Sequence, residues 1–83
     1  MKTTRYFDEQ VIRKRPYIVL AWCAAALARP PRREILADGC IRHWIEVEDT
    51  RDGKLRILRV VTLEDGETIH NAFFDRNFVK DRP

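Results

Sequence analysis

The stretch DGCIRHWIEVEDTRDGKLRILRVVTLEDG, residues 38–66, decides the fold. It carries three Asp-Gly dipeptides, Asp38-Gly39, Asp52-Gly53 and Asp65-Gly66, each lying between runs rich in Ile, Val, Leu and aromatic residues. Asp-Gly is a preferred centre for a two-residue hairpin loop, because the tight type I′ turn needs positive φ at both central positions. The spacing therefore predicts a four-stranded antiparallel meander over residues 33–37, 40–48, 55–63 and 67–74.

Upstream of this stretch the pattern is helical. Residues 4–14 can form a helix, with Thr3 or Thr4 as N-cap, Asp8 and Glu9 near its N-terminal end and a stripe of Tyr6, Phe7, Val11 and Ile12; Pro16 ends or kinks it. A second helix over residues 18–28 is apolar nearly all round, which predicts that it is buried, and Pro30-Pro31 stops it. Two helices followed by an antiparallel sheet is an α+β arrangement, with both helices packed on one face of the meander.

The chain has 83 residues, which is enough for one domain spanning 1–83 and excludes a large multidomain enzyme; 45% hydrophobic and 35% charged residues exclude a disordered chain. From Met1 to Glu34 eight basic residues face three acidic ones, so of the formal charge of +3 this third carries +5 and the remainder −2. A basic front end suits a polyanion such as RNA, or an acidic partner protein. Arg13-Lys14-Arg15 followed by an apolar run imitates a signal peptide, but the run is too short to span a bilayer and reads better as a core helix, so no membrane association is expected. Cys23, Cys40, His43 and His70 match no common zinc pattern, and two isolated cysteines fit a reducing, cytoplasmic compartment; no metal or other cofactor is expected.

Two-residue loops at all three Asp-Gly sites fix the pairing. They set Glu46 opposite Arg59, Val61 opposite both Trp44 and His70, and Glu34 opposite His43, where the two can hydrogen-bond. Alternation then assigns Leu36, Ile41, His43, Ile45, Val47, Leu58, Val60, Ile69 and Phe73 to the core face. The second face receives Arg33, Arg42, Trp44, Glu46, Glu48, Arg59, Val61, His70 and Ala72, a polar set for the middle of a sheet. Thr62 and Asn71 are expected to satisfy each other or the backbone.

On that second face a carboxylate, a guanidinium and an imidazole come together. Cleavage of RNA through its 2′-hydroxyl uses these groups: Glu46 as general base, His70 as general acid, and Arg59 with Arg42 stabilising charge on the phosphorus. Arg33 and Arg76 add phosphate contacts and Trp44 a stacking surface for a base. The same residues also fit a bland reading, in which Glu46 and Arg59 form a cross-strand ion pair, His70 is structural, and the face docks a protein or nucleic acid without chemistry. A third reading is an assembly module, a homodimer built through a sheet edge or the exposed apolar residues of the first helix.

The order of two helices and a four-stranded meander, with an Arg on the third strand and a basic front end, resembles the small RelE and BrnT-type toxins of bacterial toxin–antitoxin pairs. The likeness is strongest to an uncharacterised bacterial family related to them, through Arg13-Lys14-Arg15-Pro16-Tyr17-Ile18, Leu58-Arg59-Val60-Val61-Thr62 and Thr68-Ile69-His70-Asn71-Ala72-Phe73. The resemblance implies a sheet face that cuts RNA and an antitoxin that covers it. In residue type the Glu, Arg and His set is also similar to the barnase-like ribonucleases. RelE-type toxins often carry a late Tyr or His, whereas residues 77–83 hold neither.

Overall fold

The first helix stops where Pro16 drives Arg15 out of the helical region, to φ −129° and ψ 63°. In the computed structural model, which describes residues 2–28 and 32–77, this helix passes through a π-helical turn over Phe7–Val11 and continues as α1, Ile12–Lys14. The wider turn, closed by the Ile12 amide donating to the Phe7 carbonyl, carries Phe7 and Val11, both buried in the core. Helix α2 is Leu20–Ala28, and the strands are β1 Arg32–Ile35, β2 Ile41–Glu48, β3 Leu55–Thr62 and β4 Ile69–Phe74.

The four strands form one antiparallel sheet in the order β1-β2-β3-β4, so the fold is α+β as the Asp-Gly spacing predicts. Phe7, Val11, Ile18, Cys23 and Ala26 from the helical part pack with Val47, Leu58, Val60, Ile69 and Ala72 from the sheet. Thr3 bridges Ile69 in parallel, with Thr4 N–H donating to the Ile69 carbonyl and Ile69 N–H to that of Lys2, both at 2.9 Å. The N-terminal residues thus cover the start of the outer edge of β4. Among the described residues no helix is long and apolar enough to cross a membrane.

Helix α2 is not buried all round. Cys23 and Ala26 are buried, while Leu20, Ala21, Ala24, Ala25 and Ala28 are exposed. Alanine has so little side chain that exposing it forfeits little burial energy, so an Ala-rich helix can present a full face to solvent.

The turns also differ from the two-residue loops expected, and with them the register. Among the described residues none other than glycine has positive φ, so none of the three Asp residues adopts the left-handed conformation that a type I′ turn demands. Only the glycines do: Gly53, at φ 73°, closes a four-residue loop in which its amide donates to the Asp49 carbonyl (2.7 Å) and Asp49 N–H to that of Lys54 (2.8 Å). Each Asp instead turns its carboxylate onto the amide two residues on, Asp38 to Cys40, Asp52 to Lys54 and Asp65 to Glu67. Asp65 also accepts from the Thr68 hydroxyl and amide, and these bonds hold its pKa down at about 2.

Longer loops move the partners. Trp44 lies opposite Arg59 and Glu46 opposite Ile57, a slip of two residues that leaves the faces of β2 and β3 as expected. The first hairpin slips by one, which sets Arg33 opposite His43 and Glu34 opposite Arg42; Arg33 is therefore off the second face. Between β3 and β4 the register is Val61 with Asn71 but Thr62 with Ile69, leaving His70 as the extra residue of a bulge. Beyond it the alternation inverts, so Ala72 is buried and Phe73 pairs with Arg59 on the second face, the reverse of the expected assignment.

The inward histidine also has a different partner. His43 is 2% exposed, its Nε2 shares a hydrogen bond with Thr62 Oγ1 at 3.0 Å, and its Nδ1 is buried without a partner. Asn71 Oδ1 accepts from the Ala72 amide, the backbone alternative expected of it, whereas Glu34 pairs with Arg42 and not with His43. Burial, and then the charge of Arg33, lower the His43 pKa below its ordinary 6.5. The unfolded chain therefore takes up a proton that the folded state refuses. Stability from this residue is constant above about pH 6.5 and falls as the pH drops from there toward the folded value. The wild type is expected to melt lower near pH 5 than near pH 7.5, and thermal melts of His43→Leu should show a smaller difference.

Candidate functional site

Asp75 organises the second face. Its amide donates to the Ile57 carbonyl (2.8 Å), extending the pairing of β3 and β4 one step, and its Oδ1 accepts from Asn77 N–H (3.0 Å), closing a turn. This leaves Oδ2 over the sheet. There it accepts from Trp44 Nε1–H at 3.0 Å and lies 3.7 Å from Arg59 Nε. The Arg59 guanidinium sits 4.3 Å from the centroid of Phe73, its cross-strand partner, a cation–π contact. Arg59 and Trp44 are thus fixed by one carboxylate that belongs to neither strand.

Glu46 is exposed on the same face, one diagonal step from Arg59, and lines a cavity of about 330 Å³ together with Arg56, Asp75 and Arg76. Two carboxylates and two guanidinium groups surround this concavity; the arginines can hold a phosphodiester and Glu46 can accept a proton from a hydroxyl beside it.

The other sequence-predicted residues lie elsewhere. His70 is turned toward the N-terminal segment: its Nδ1 shares a hydrogen bond with Thr4 Oγ1 at 3.0 Å, and its ring lies 4.9 Å from that of Tyr6. It precedes Asp75 by five residues, roughly 15 Å along a strand, so the bulge and the strand length together separate it from Glu46. Arg42 is paired to Glu34 at 3.1 Å and Arg33 faces the side of His43. Trp44 is 5% exposed, so its ring is not offered to a base. Of the seven predicted residues Glu46 and Arg76 line one cavity with Asp75, and Asp75 in turn contacts Arg59 and Trp44.

A second cluster adjoins this one. Asp49, 1% exposed, accepts from Arg51 Nη2 (2.8 Å), from Arg51 Nε and amide, and from Arg56 Nε (2.9 Å), while Arg56 also reaches Asp52 (2.6 Å). The bonds from the Arg51 side chain and amide, then that from Arg56, hold the Asp49 carboxyl well below the usual carboxylate range against the opposing effect of burial. Arg51 lies 3.9 Å from the Tyr17 ring centroid, and Tyr17 stacks on Phe74 at 5.6 Å. Arg51, Arg56 and Asp49 escaped the sequence reading; the signal that could have found them is an Asp opening a loop with Arg two and seven residues later.

An α+β domain with a helix-backed antiparallel meander is the class that the fold defines. Comparison of the chain with protein-family models, curated proteins and solved structures finds no match.

Proposed function

We propose that this chain acts on RNA in the manner of the RelE and BrnT-type toxins, cutting it by transesterification on the sheet face opposite the helices, with an antitoxin as the partner that covers the face. The observation that carries this reading is the convergence of Glu46, Arg56 and Arg76 on one cavity beside the Arg59–Asp75 pair. Glu46 takes the proton of a ribose 2′-hydroxyl. The 2′-oxygen attacks phosphorus and the bond to the 5′-oxygen breaks; that oxygen leaves with a proton from solvent, giving 2′,3′-cyclic phosphate and 5′-hydroxyl ends. Arg59 and Arg76 offset the charge that develops on the phosphoryl oxygens. His70 lies beyond reach of a phosphate held there, which removes it from the role of general acid.

Purified protein is incubated with single-stranded RNA and EDTA. Glu46→Gln is expected to lower the cleavage rate by about a hundredfold, while His70→Ala keeps it within about threefold. Loss in His70→Ala with Glu46→Gln still active, each still folded, would show that the proton transfers run through His70 and not through the Glu46 cavity.

A second reading, binding without cleavage, is favoured by one contact. Asp75 already balances the charge of Arg59, as in a structural pair. Intact RNA after incubation with wild-type protein that nevertheless binds it would establish this reading.

A further inference from the structure

A cleft of about 380 Å³ lies beside the Glu46 cavity, where the turn after α1 meets the β2–β3 loop and the end of β4. Its walls carry four arginines, Arg15, Arg51, Arg56 and Arg76, and the rings of Tyr17, Phe73 and Phe74, with no carboxylate among the described lining residues. We propose that this cleft is a nucleotide subsite for single-stranded RNA, gripping a phosphate with Arg15 and Arg76 and stacking the adjoining base on the Arg51–Tyr17 pair. The inference deepens the RNA reading above by naming where the strand lies, and it requires no cleavage.

The four arginines divide into two kinds. Arg51 and Arg56 are held by Asp49, with Arg56 also paired to Asp52, so their guanidinium groups are fixed parts of the wall. Among the described residues Arg15 and Arg76 form no ion pair; Arg15 rests 5.9 Å from the Phe73 centroid and Arg76 is exposed. Two uncompensated cations on one rim fit a phosphate, which arginine binds through paired N–H groups.

The aromatic groups separate a nucleotide from a simple anion. Tyr17 and Phe74 are stacked at an interplanar angle of 21°, and Arg51 covers Tyr17. Bases stack on aromatic rings and on guanidinium planes alike, and a positively charged groove with such surfaces is how proteins hold single strands. The volume falls at the lower end for small-ligand sites, about 300–1,000 Å³, which suits one nucleotide. An acidic peptide would satisfy the charge and leave the rings unused.

The test is fluorescence anisotropy with a short labelled 2′-O-methyl oligouridine, whose blocked 2′-oxygen cannot attack phosphorus, so binding is read whether or not the protein cuts RNA. Arg15→Ala and Arg76→Ala are each expected to weaken binding about tenfold and to lower the salt slope by about one. Tyr17→Leu is expected to weaken it about tenfold with the salt slope unchanged. Arg5→Ala, a loss of equal charge away from the cleft, should leave affinity as it was. Circular dichroism of each variant confirms the fold. Binding that ignores Arg15, Arg76 and Tyr17, no binding by the wild type, or equal displacement by oligoglutamate would overturn the proposal. If Glu46→Gln stops cleavage while Arg15→Ala and Tyr17→Leu bind and cut as the wild type does, the cleft falls and the cleavage reading stands. If RNA is never cut but the cleft variants lose affinity, the cleft stands alone.

Discussion

Leu58→Ala is expected to destabilise the protein by about 3–4 kcal/mol. Leu58 is 0% exposed, sits in an inner strand between Ile45 of β2 and Phe74 of β4, and belongs to the core that also holds Phe7 and Val11. Truncation removes its transfer energy and leaves a cavity that a close-packed sheet cannot collapse into. A small domain has about 0.05–0.15 kcal/mol of stability per residue, so a loss of this size takes a large share of the total. With a shift of about 4–8 °C per kcal/mol, the melting temperature should fall by roughly 15–25 °C in calorimetry or circular dichroism. Leu55→Ala is the internal control: Leu55 is on the same strand but 67% exposed, and its truncation should cost less than about 0.5 kcal/mol. Equal losses at the two positions would contradict the face assignment of β3.

The meander was legible because its signals are local. Each strand run lies between Asp-Gly sites, and strand identity survives an error in loop length. Register does not survive it. Whether Asp52 adopts positive φ is a choice between backbone strain and an alternative hydrogen bond, and the bond to Lys54 wins. The slip of two residues on β2 preserved the faces, so Glu46 and Arg59 were placed together correctly although not opposite each other. The slip of one on β1 and the bulge at His70 changed them, which is why Arg33 and His70 left the predicted site. No pattern of apolar residues marks that bulge, since Ile69 and Ala72, both buried, are three apart.

Recognising polar contacts from sequence failed for a related reason. Asp75 follows a strand and reads as a turn residue, which it is, yet its second oxygen reaches across to Trp44 and Arg59 from a position that only the chain reversal at Asn77 creates. Phe73 was assigned to the core by alternation and instead lies beside the Arg59 guanidinium, because the bulge had inverted the strand. Residue types near the site were therefore readable, and their partners were set by geometry formed between strands.

Asp49→Asn tests the largest of these partnerships. The carboxylate is buried at the base of the β2–β3 loop and satisfied by Arg51 and Arg56, so the amide takes the counter-charge from Arg51, leaves Arg56 with Asp52 alone, and places an N–H₂ donor where both neighbours donate. Because the arginines are partly exposed and water can serve them, the expected shift is about tenfold to a hundredfold in the folded-to-unfolded ratio at neutral pH, read by urea unfolding. The sign with pH is set by the depressed pKa. The folded state holds the carboxylate ionised at pH values where the unfolded chain has taken up its proton, so the contribution is complete above about pH 4 and is lost as the pH falls through the folded value. Wild-type stability should therefore fall more steeply in acid than that of Asp49→Asn, and the two curves should converge at the lowest pH. Parallel curves would mean that the carboxylate charge does not hold the loop. In that case Arg51 would keep its place through the Tyr17 contact, and the wall of the proposed nucleotide cleft would not depend on Asp49.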